Sequence, residues 1–380
     1  MSMSNDFFSS IPLDLFTPNK KHGIKYLYHL LLRAEKHMAN YLSVRRQSKT
    51  NHSFSLFTKT QSQYFPSEIQ NYICKCSLTK QTLEFKVRER KVFVNVYEMK
   101  GVKGTTHFNL DKYLDPLGLW FSLMDLITPK SNVNTTLTVD IYLTSFKKKM
   151  PRFGEAFTSS HVNSALTYIC NKHGEIIIYR EEEWFKVLLH ECIHSYCLDF
   201  SGADQRLMKS YLFKTFPIQV QDALYSETYA EVWAEIMNCA ILSFHQIQKP
   251  SHYREFSLYL NFYMQVEIVH SIFQANKILS RYYLSFRQLR EKYTQWTQET
   301  HVYEYHIMKT ILLFSFDKFL IWCHKHNGSD LIPFKNTGTN IMLLCDLIKE
   351  SFENKDFLSK VKKIETRNNG DKLRMSINEI

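Results

Sequence analysis

Glycine and proline are scarce, 10 and 9 among 380 residues. That scarcity excludes collagen-like and Pro/Gly-rich low-complexity classes and leaves few tight turns. Long apolar runs are also missing. The best candidate, "IMKTILLFSFDKFLIWC" at 307–323, is interrupted by Lys309, Asp317 and Lys318. It falls short of the roughly 18 uninterrupted apolar residues a membrane span needs, so it reads as a buried helix and no membrane span is expected. The first residues, "MSMSNDFFSSIPLDLF", lack a basic start followed by an apolar core, so no secretory signal is expected. Paired C-x2-C spacing is absent, and neither "CKC" (74–76) nor "CHKH" (323–326) makes a zinc finger. The eight cysteines (Cys74, Cys76, Cys170, Cys192, Cys197, Cys239, Cys323 and Cys345) are scattered. They are expected as free thiols, two of them on the helix that carries the motif below, in a reducing intracellular compartment.

What the chain does have is aromatic and basic. It holds 28 Phe and 22 Tyr, is 44% hydrophobic and 22% charged, and carries a net charge of +11. This composition is globular, helix-rich and aromatic-packed. The positive charge points to an acidic partner: an acidic protein substrate, an anionic surface or nucleic acid. The basic residues are dispersed, however, with only "FKKKM" (146–150) forming a block, and no nucleic-acid motif accompanies them.

The hydrophobic period changes along the chain. Residues 22–47 carry Leu27, Leu30, Leu31, Ala34, Met38 and Leu42 at helical spacing. Residues 82–98 alternate on both sides of Arg88–Lys91, which predicts a β-hairpin. A helix is predicted after Pro116, a strand over 136–146, and two strands over 162–180 joined at 171–174. From about 204 onward the pattern is mostly helical. The expected class is α+β: a small twisted mixed sheet with one central helix, then a helical half. The division reads as an N-terminal helical segment (1–80), the sheet and central helix (81–200), a helical subdomain (201–360) and a polar tail (361–380).

That central helix lies in "IIIYREEEWFKVLLHECIHSYCLDF", residues 176–200. Glu181–Glu183 supply negative charge for its first turn. Trp184, Phe185, Val187, Leu188 and Leu189 then make it apolar nearly all round, which places it in a core. His190, Glu191 and His194 interrupt that apolar surface as H-E-x-x-H. Histidines at i and i+4 share a helix face, so both imidazoles can reach one zinc ion. Glu191 is then next to a ligand and can act on water as general base. A catalytic zinc takes three protein ligands. "YSETYAEVWAEIMNCA" (225–240) offers Glu227, Glu231 and Glu235 at i+4 steps on a helix kept slim by Ala230, Ala234 and Ala240. Glu227 reads as third ligand and Glu231 as the carboxylate holding a histidine ring nitrogen, with the two roles exchangeable at this level.

"HECIH" followed by "ETYAEVWAE" resembles the gluzincin branch of zinc metallopeptidases, the thermolysin-like superfamily. Its pattern has a glutamate third ligand in E-x-x-A-D or E-x-x-x-D; here Glu231 stands at the last place. The resemblance covers roughly residues 80–240. It implies a zincin-like fold, one Zn2+ and peptide-bond hydrolysis. It also implies an antiparallel edge strand that binds extended substrate, with Asn163, Ser164 and Ala165 where strand meets peptide. An oxyanion donor is implied downstream of the third ligand, where "ETHVYEYHIMK" (299–309) offers Tyr305 or His306. His270 reads as a core histidine. The 176–191 context also resembles uncharacterised zincin-like proteins of large DNA viruses, which implies a host cytoplasm or virion location. The alternative is a catalytically silent zincin-like scaffold that binds an acidic protein or nucleic acid through its basic surface.

Overall fold

The computed structural model describes residues 22–47, 50–52, 63–99, 108–129, 133–364 and 370–379. The irregular segment expected over 1–20 lies outside the described residues. Helix α1 (Gly23–Tyr41) buries Leu27, Leu30, Leu31 and Ala34, the face its period predicts. The helix does not run on to residue 47. Strand β1 (Leu42–Arg46) turns extended and pairs antiparallel with β3 (Leu78–Val87), Leu42 opposite Val87 and Arg46 opposite Leu83. The open edge of β3 offers Leu42–Arg46 a ladder of backbone hydrogen bonds, and that tertiary gain outweighs continuation of the helix. Strand β2 (Thr50–His52) also pairs with β3. The expected N-terminal helical segment therefore contributes strands to the sheet.

The predicted hairpin forms between β3 and β4 (Arg90–Met99), with Val87 opposite Arg90 and Arg88 in the left-handed region at φ 52°. Helix α2 (Ser67–Lys75) precedes it, and α3 (Leu114–Ile127) follows. β5 (Thr136–Tyr142) lies parallel to β4, so the chain must cross over between them, and α3 lies in that connection. After one short turn, α4 (Ser159–Val162), β6 (Ala165–Thr167) pairs antiparallel with β7 (His173–Ile178), which is parallel to β5. The sheet order is β1-β3-β4-β5-β7-β6, with β2 beside β3, and β6 is an edge. One face, with Phe85, Val94, Val139 and Ile176, enters the main core together with α1, α3 and the helix after β7. The other, with Tyr97, Tyr142 and Ile177, is covered by Ile69 and Ile73 of α2. Val and Ile at alternate positions make the first face, while the second is mostly aromatic and holds a buried chain of hydrogen bonds from Thr82 to Asn95 and from Asn95 to Asp140.

The helix after β7 is α5 (Trp184–Ser195). The rest of the chain is mainly helical: α6 (Arg206–Thr215), α7 (Ser226–Gln246), α8 (Tyr253–Arg281), α9 (Lys309–Phe314), α10 (Phe316–Asn327), α11 (Gly338–Phe352) and α12 (Lys355–Lys363). A parallel pair, β8 (Ile218–Val220) with β9 (Thr294–Trp296), ties its parts together. The predicted helix over 307–323 is divided at Ser315, and no described helix is long and apolar enough to cross a membrane. The class is α+β, with a mixed sheet and a helical C-terminal half.

Two further expectations are corrected. Cys170 and Cys197 form a disulfide, while Cys192 is buried and free. Cys197 follows α5 at φ 56°, and this reversal carries it beside the β6–β7 turn, a proximity that 27 residues of separation conceal. The polar tail is also no tail where it is described. Leu373, Met375, Ser376 and Asn378 are buried. Ser376 Oγ donates to Glu267 at 3.0 Å, Asn378 Nδ2 donates to Glu267 at 2.9 Å, and Lys309 Nζ donates to the Met375 carbonyl at 3.1 Å. Buried charges of the helical half require partners, and this short polar stretch supplies them.

Candidate metal centre

Helix α5 starts after a sharp entry. Glu183 caps it with φ 62°, and its carboxylate accepts from Lys148 Nζ at 2.6 Å and from the Ser376 backbone N–H. The three glutamates therefore precede the helix rather than fill its first turn, and Glu183 is spent on a buried ion pair. Burial opposes its ionisation, but Lys148, Lys186 and Arg374 outweigh that and hold Glu183 at about 2.

One turn apart on α5, His190 and His194 bring their Nε2 atoms to 3.1 Å. α7 packs across this face, and its first turn delivers Glu227. Glu227 Oε2 stands 3.2 Å from His194 Nε2 and 3.3 Å from His190 Nε2. Two donors at the tetrahedral angle, each about 2.0–2.1 Å from a small divalent ion, would be about 3.3 Å apart. Three mutual separations of 3.1–3.3 Å match that requirement. Among the described residues this is the one group of His, Cys, Asp or Glu with such an arrangement, so it could hold a metal ion.

The outward ring nitrogens face carboxylates. Glu231 Oε2 lies 2.9 Å from His190 Nδ1, off the direction of the ring N–H. Asp199 Oδ2 contacts His194 Nδ1, and the other Asp199 oxygen accepts from Ser201 N at 3.0 Å and Ser201 Oγ at 2.8 Å. Each partner favours the tautomer whose Nε2 lone pair faces the cluster. Sequence reasoning missed Asp199, because it reaches His194 through the reversal at Cys197 and not through helical spacing. Lys186 was missed too: it donates to Glu231 at 2.6 Å from within the apolar face of α5. Glu235 is buried and accepts from Lys309 Nζ at 3.0 Å.

The electrostatics fit a cation. Burial works against protonated imidazoles, yet Glu227 with Glu231 or Asp199 outweighs it and raises both His190 and His194. Burial likewise works against the Glu227 carboxylate, yet the two histidines hold it well below its usual range. A potential negative enough to favour extra protons on imidazole also favours a divalent ion in their place. Glu191, beside these three donors, is raised chiefly by burial.

His190, Glu191, Glu231 and Tyr305 line one recess with Asn163, Ser164 and Ala165. Ala165 alone of the last three lies in the edge strand. The Asn163 carbonyl accepts from Arg180 Nε at 2.9 Å and its side-chain oxygen from Thr300 Oγ1 at 2.7 Å, so Asn163 braces the loop. Among the described residues no strand pairs with the outer side of β6. Tyr305 donates its hydroxyl to Glu227 Oε2 at 3.0 Å. His306, the other candidate donor, does not line the recess. It is buried among Lys309, Glu231, Lys148 and Lys186, and desolvation first, then these lysines, hold it well below its usual value. Successive residues of the π-helical turn Tyr303–Met308 cannot both face one site. His270 is buried and bonds the Arg374 carbonyl at 2.9 Å. Comparison with protein families, with curated proteins and with solved structures gives no match.

Proposed function

We propose that this chain is a zinc-dependent metallopeptidase, with zinc held by His190, His194 and Glu227 and with Glu191 as general base. The observation that carries this reading is the triangle of Nε2, Nε2 and Oε2 atoms with Glu191 beside it, in a recess bordered by β6, whose outer side pairs with no described strand. Two imidazoles and one carboxylate suit zinc among the common divalent ions. Bound there, zinc would supply Lewis-acid polarisation of a substrate carbonyl and acidify water.

The chain's own groups supply the rest. The outer edge of β6 can take an extended peptide as an added strand. Glu191 accepts a proton from water in the recess and passes it to the leaving amine; burial makes it a stronger base than an exposed glutamate. Tyr305 presents the hydroxyl that can donate to the oxygen on which charge develops. Protein or peptide is therefore the substrate class, and the +11 charge favours acidic ones.

The test is a Glu191→Gln variant with metal analysis beside peptide cleavage. It should retain zinc and lose activity by about 10²–10⁴-fold. Undiminished cleavage would remove Glu191 from the scheme.

A further inference from the structure

We propose that Lys186 is a positioning residue that sets the register of the metal centre: its ammonium holds Glu231 and keeps the ion on the other side of His190, where Glu227 completes the ligand set. The proposal rests on the metal-binding part of the reading above and not on which bond is hydrolysed.

Lys186, His190 and His194 stand at i+4 steps on α5, and Glu227, Glu231 and Glu235 do so on α7. The two rows interleave. Glu227 Oε2 lies between His194 and His190, 3.2 and 3.3 Å from their Nε2 atoms. Glu231 lies between His190 Nδ1, at 2.9 Å, and Lys186 Nζ, at 2.6 Å. Glu235 lies between Lys186 Nζ, at 3.9 Å, and Lys309 Nζ, at 3.0 Å. His190 therefore faces a glutamate on each ring nitrogen, and what separates the two gaps is the residue one turn away on α5. His194 offers the first gap a lone pair. Lys186 closes the second with an ammonium, which has three donors and no lone pair. That group cannot bind a metal ion, and its charge repels one. The gap bordered by Glu227 is the one left for the ion.

The hold of Lys186 on Glu231 is direct, and both side chains are buried. Lys309 is a second cation near Glu231, but it stands 3.9 Å away and donates to Glu235 at 3.0 Å and to the Met375 carbonyl at 3.1 Å. A buried carboxylate needs a cation or donors of its own. Glu231 has an ammonium. Among the described residues no Lys or Arg pairs with Glu227, whose partners are the two histidines and the Tyr305 hydroxyl. The glutamate without an ammonium is the one whose charge is available to a metal ion. An ion pair that only tied α5 to α7 would have no bearing on that choice.

The experiment measures zinc affinity of the full chain by competition with a chromogenic chelator. Glu227→Ala alone should bind zinc at least about tenfold more weakly than the wild type. Adding Lys186→Met, which keeps the length of the side chain and removes its charge, frees Glu231 and should recover at least about threefold of that loss. A further Glu231→Gln should abolish the recovery, because the gain belongs to the freed carboxylate. Lys186→Gln serves if Lys186→Met does not fold. A folded chain with no recovery, or a recovery that survives Glu231→Gln, overturns the proposal. The metal reading reports separately: a wild type that holds no zinc, or a Glu227→Ala chain that binds it equally well, sinks that reading and the proposal with it, whereas failure of the recovery alone sinks only the role of Lys186.

Discussion

At the scale of single residues, the candidate centre depends on groups outside its three donor atoms. Asp199 fixes the ring of His194 and Glu231 stands behind His190. Neutralising either partner leaves the three donor atoms in place but frees a ring and lowers its basicity. Asp199→Asn or Glu231→Gln should therefore weaken zinc binding by about 10–100-fold, read by competition with a chromogenic chelator. Unchanged affinity in both would show that the carboxylates only fill space. The His190–His194 pair was legible because helical spacing brings i and i+4 together, whereas the choice of Glu227 over Glu231 stayed open until α7 was placed against α5. Asp199 was not, since a left-handed residue at Cys197 redirects the chain. The pairing of Cys170 with Cys197 was hidden for the same reason.

At the scale of elements, the distance between α5 and α7 decides whether Glu227 reaches the histidines. Ala230 and Ala234 are fully buried on α7, where they keep the helix slim. Ala234→Leu should overpack this layer and destabilise the fold by about 1–3 kcal/mol in urea unfolding. A neutral result would mean that the side chain has room the packing does not suggest. Both helices could be read from apolar periodicity, and so could the β3–β4 hairpin. The end of α1 could not, because pairing of Leu42–Arg46 with β3 is a tertiary choice. Glu231 and Glu235 are members of a buried ion network, which three glutamates at i+4 spacing do not reveal without their lysines.

At the scale of the whole molecule, the helical half closes on residues 371–379. His270 of α8 lies where this segment docks, near Lys309, Glu183 and Arg374, and desolvation is the main cause that lowers it to about 3. An unfolded histidine takes up its proton near pH 6.5. Between about pH 6.5 and pH 3 the unfolded chain thus binds the extra proton, and stability falls as pH falls, by up to about 1.4 kcal/mol per pH unit. His270→Gln should flatten this acid limb in denaturation curves taken across the window; an identical slope would assign it elsewhere. The α+β division and the helical half were legible from the change of period near residue 200. The docked segment was not, since a stretch rich in Ser, Asn and Arg looks the same whether its partners are water or buried carboxylates.

The most direct measurement is zinc stoichiometry of the purified full chain and of Glu227→Ala after equilibration with limiting zinc. The three-donor cage predicts one zinc per chain in the wild type and an affinity at least about tenfold weaker in the variant. A wild-type chain that holds no zinc, or a variant that binds it equally well, would contradict the account.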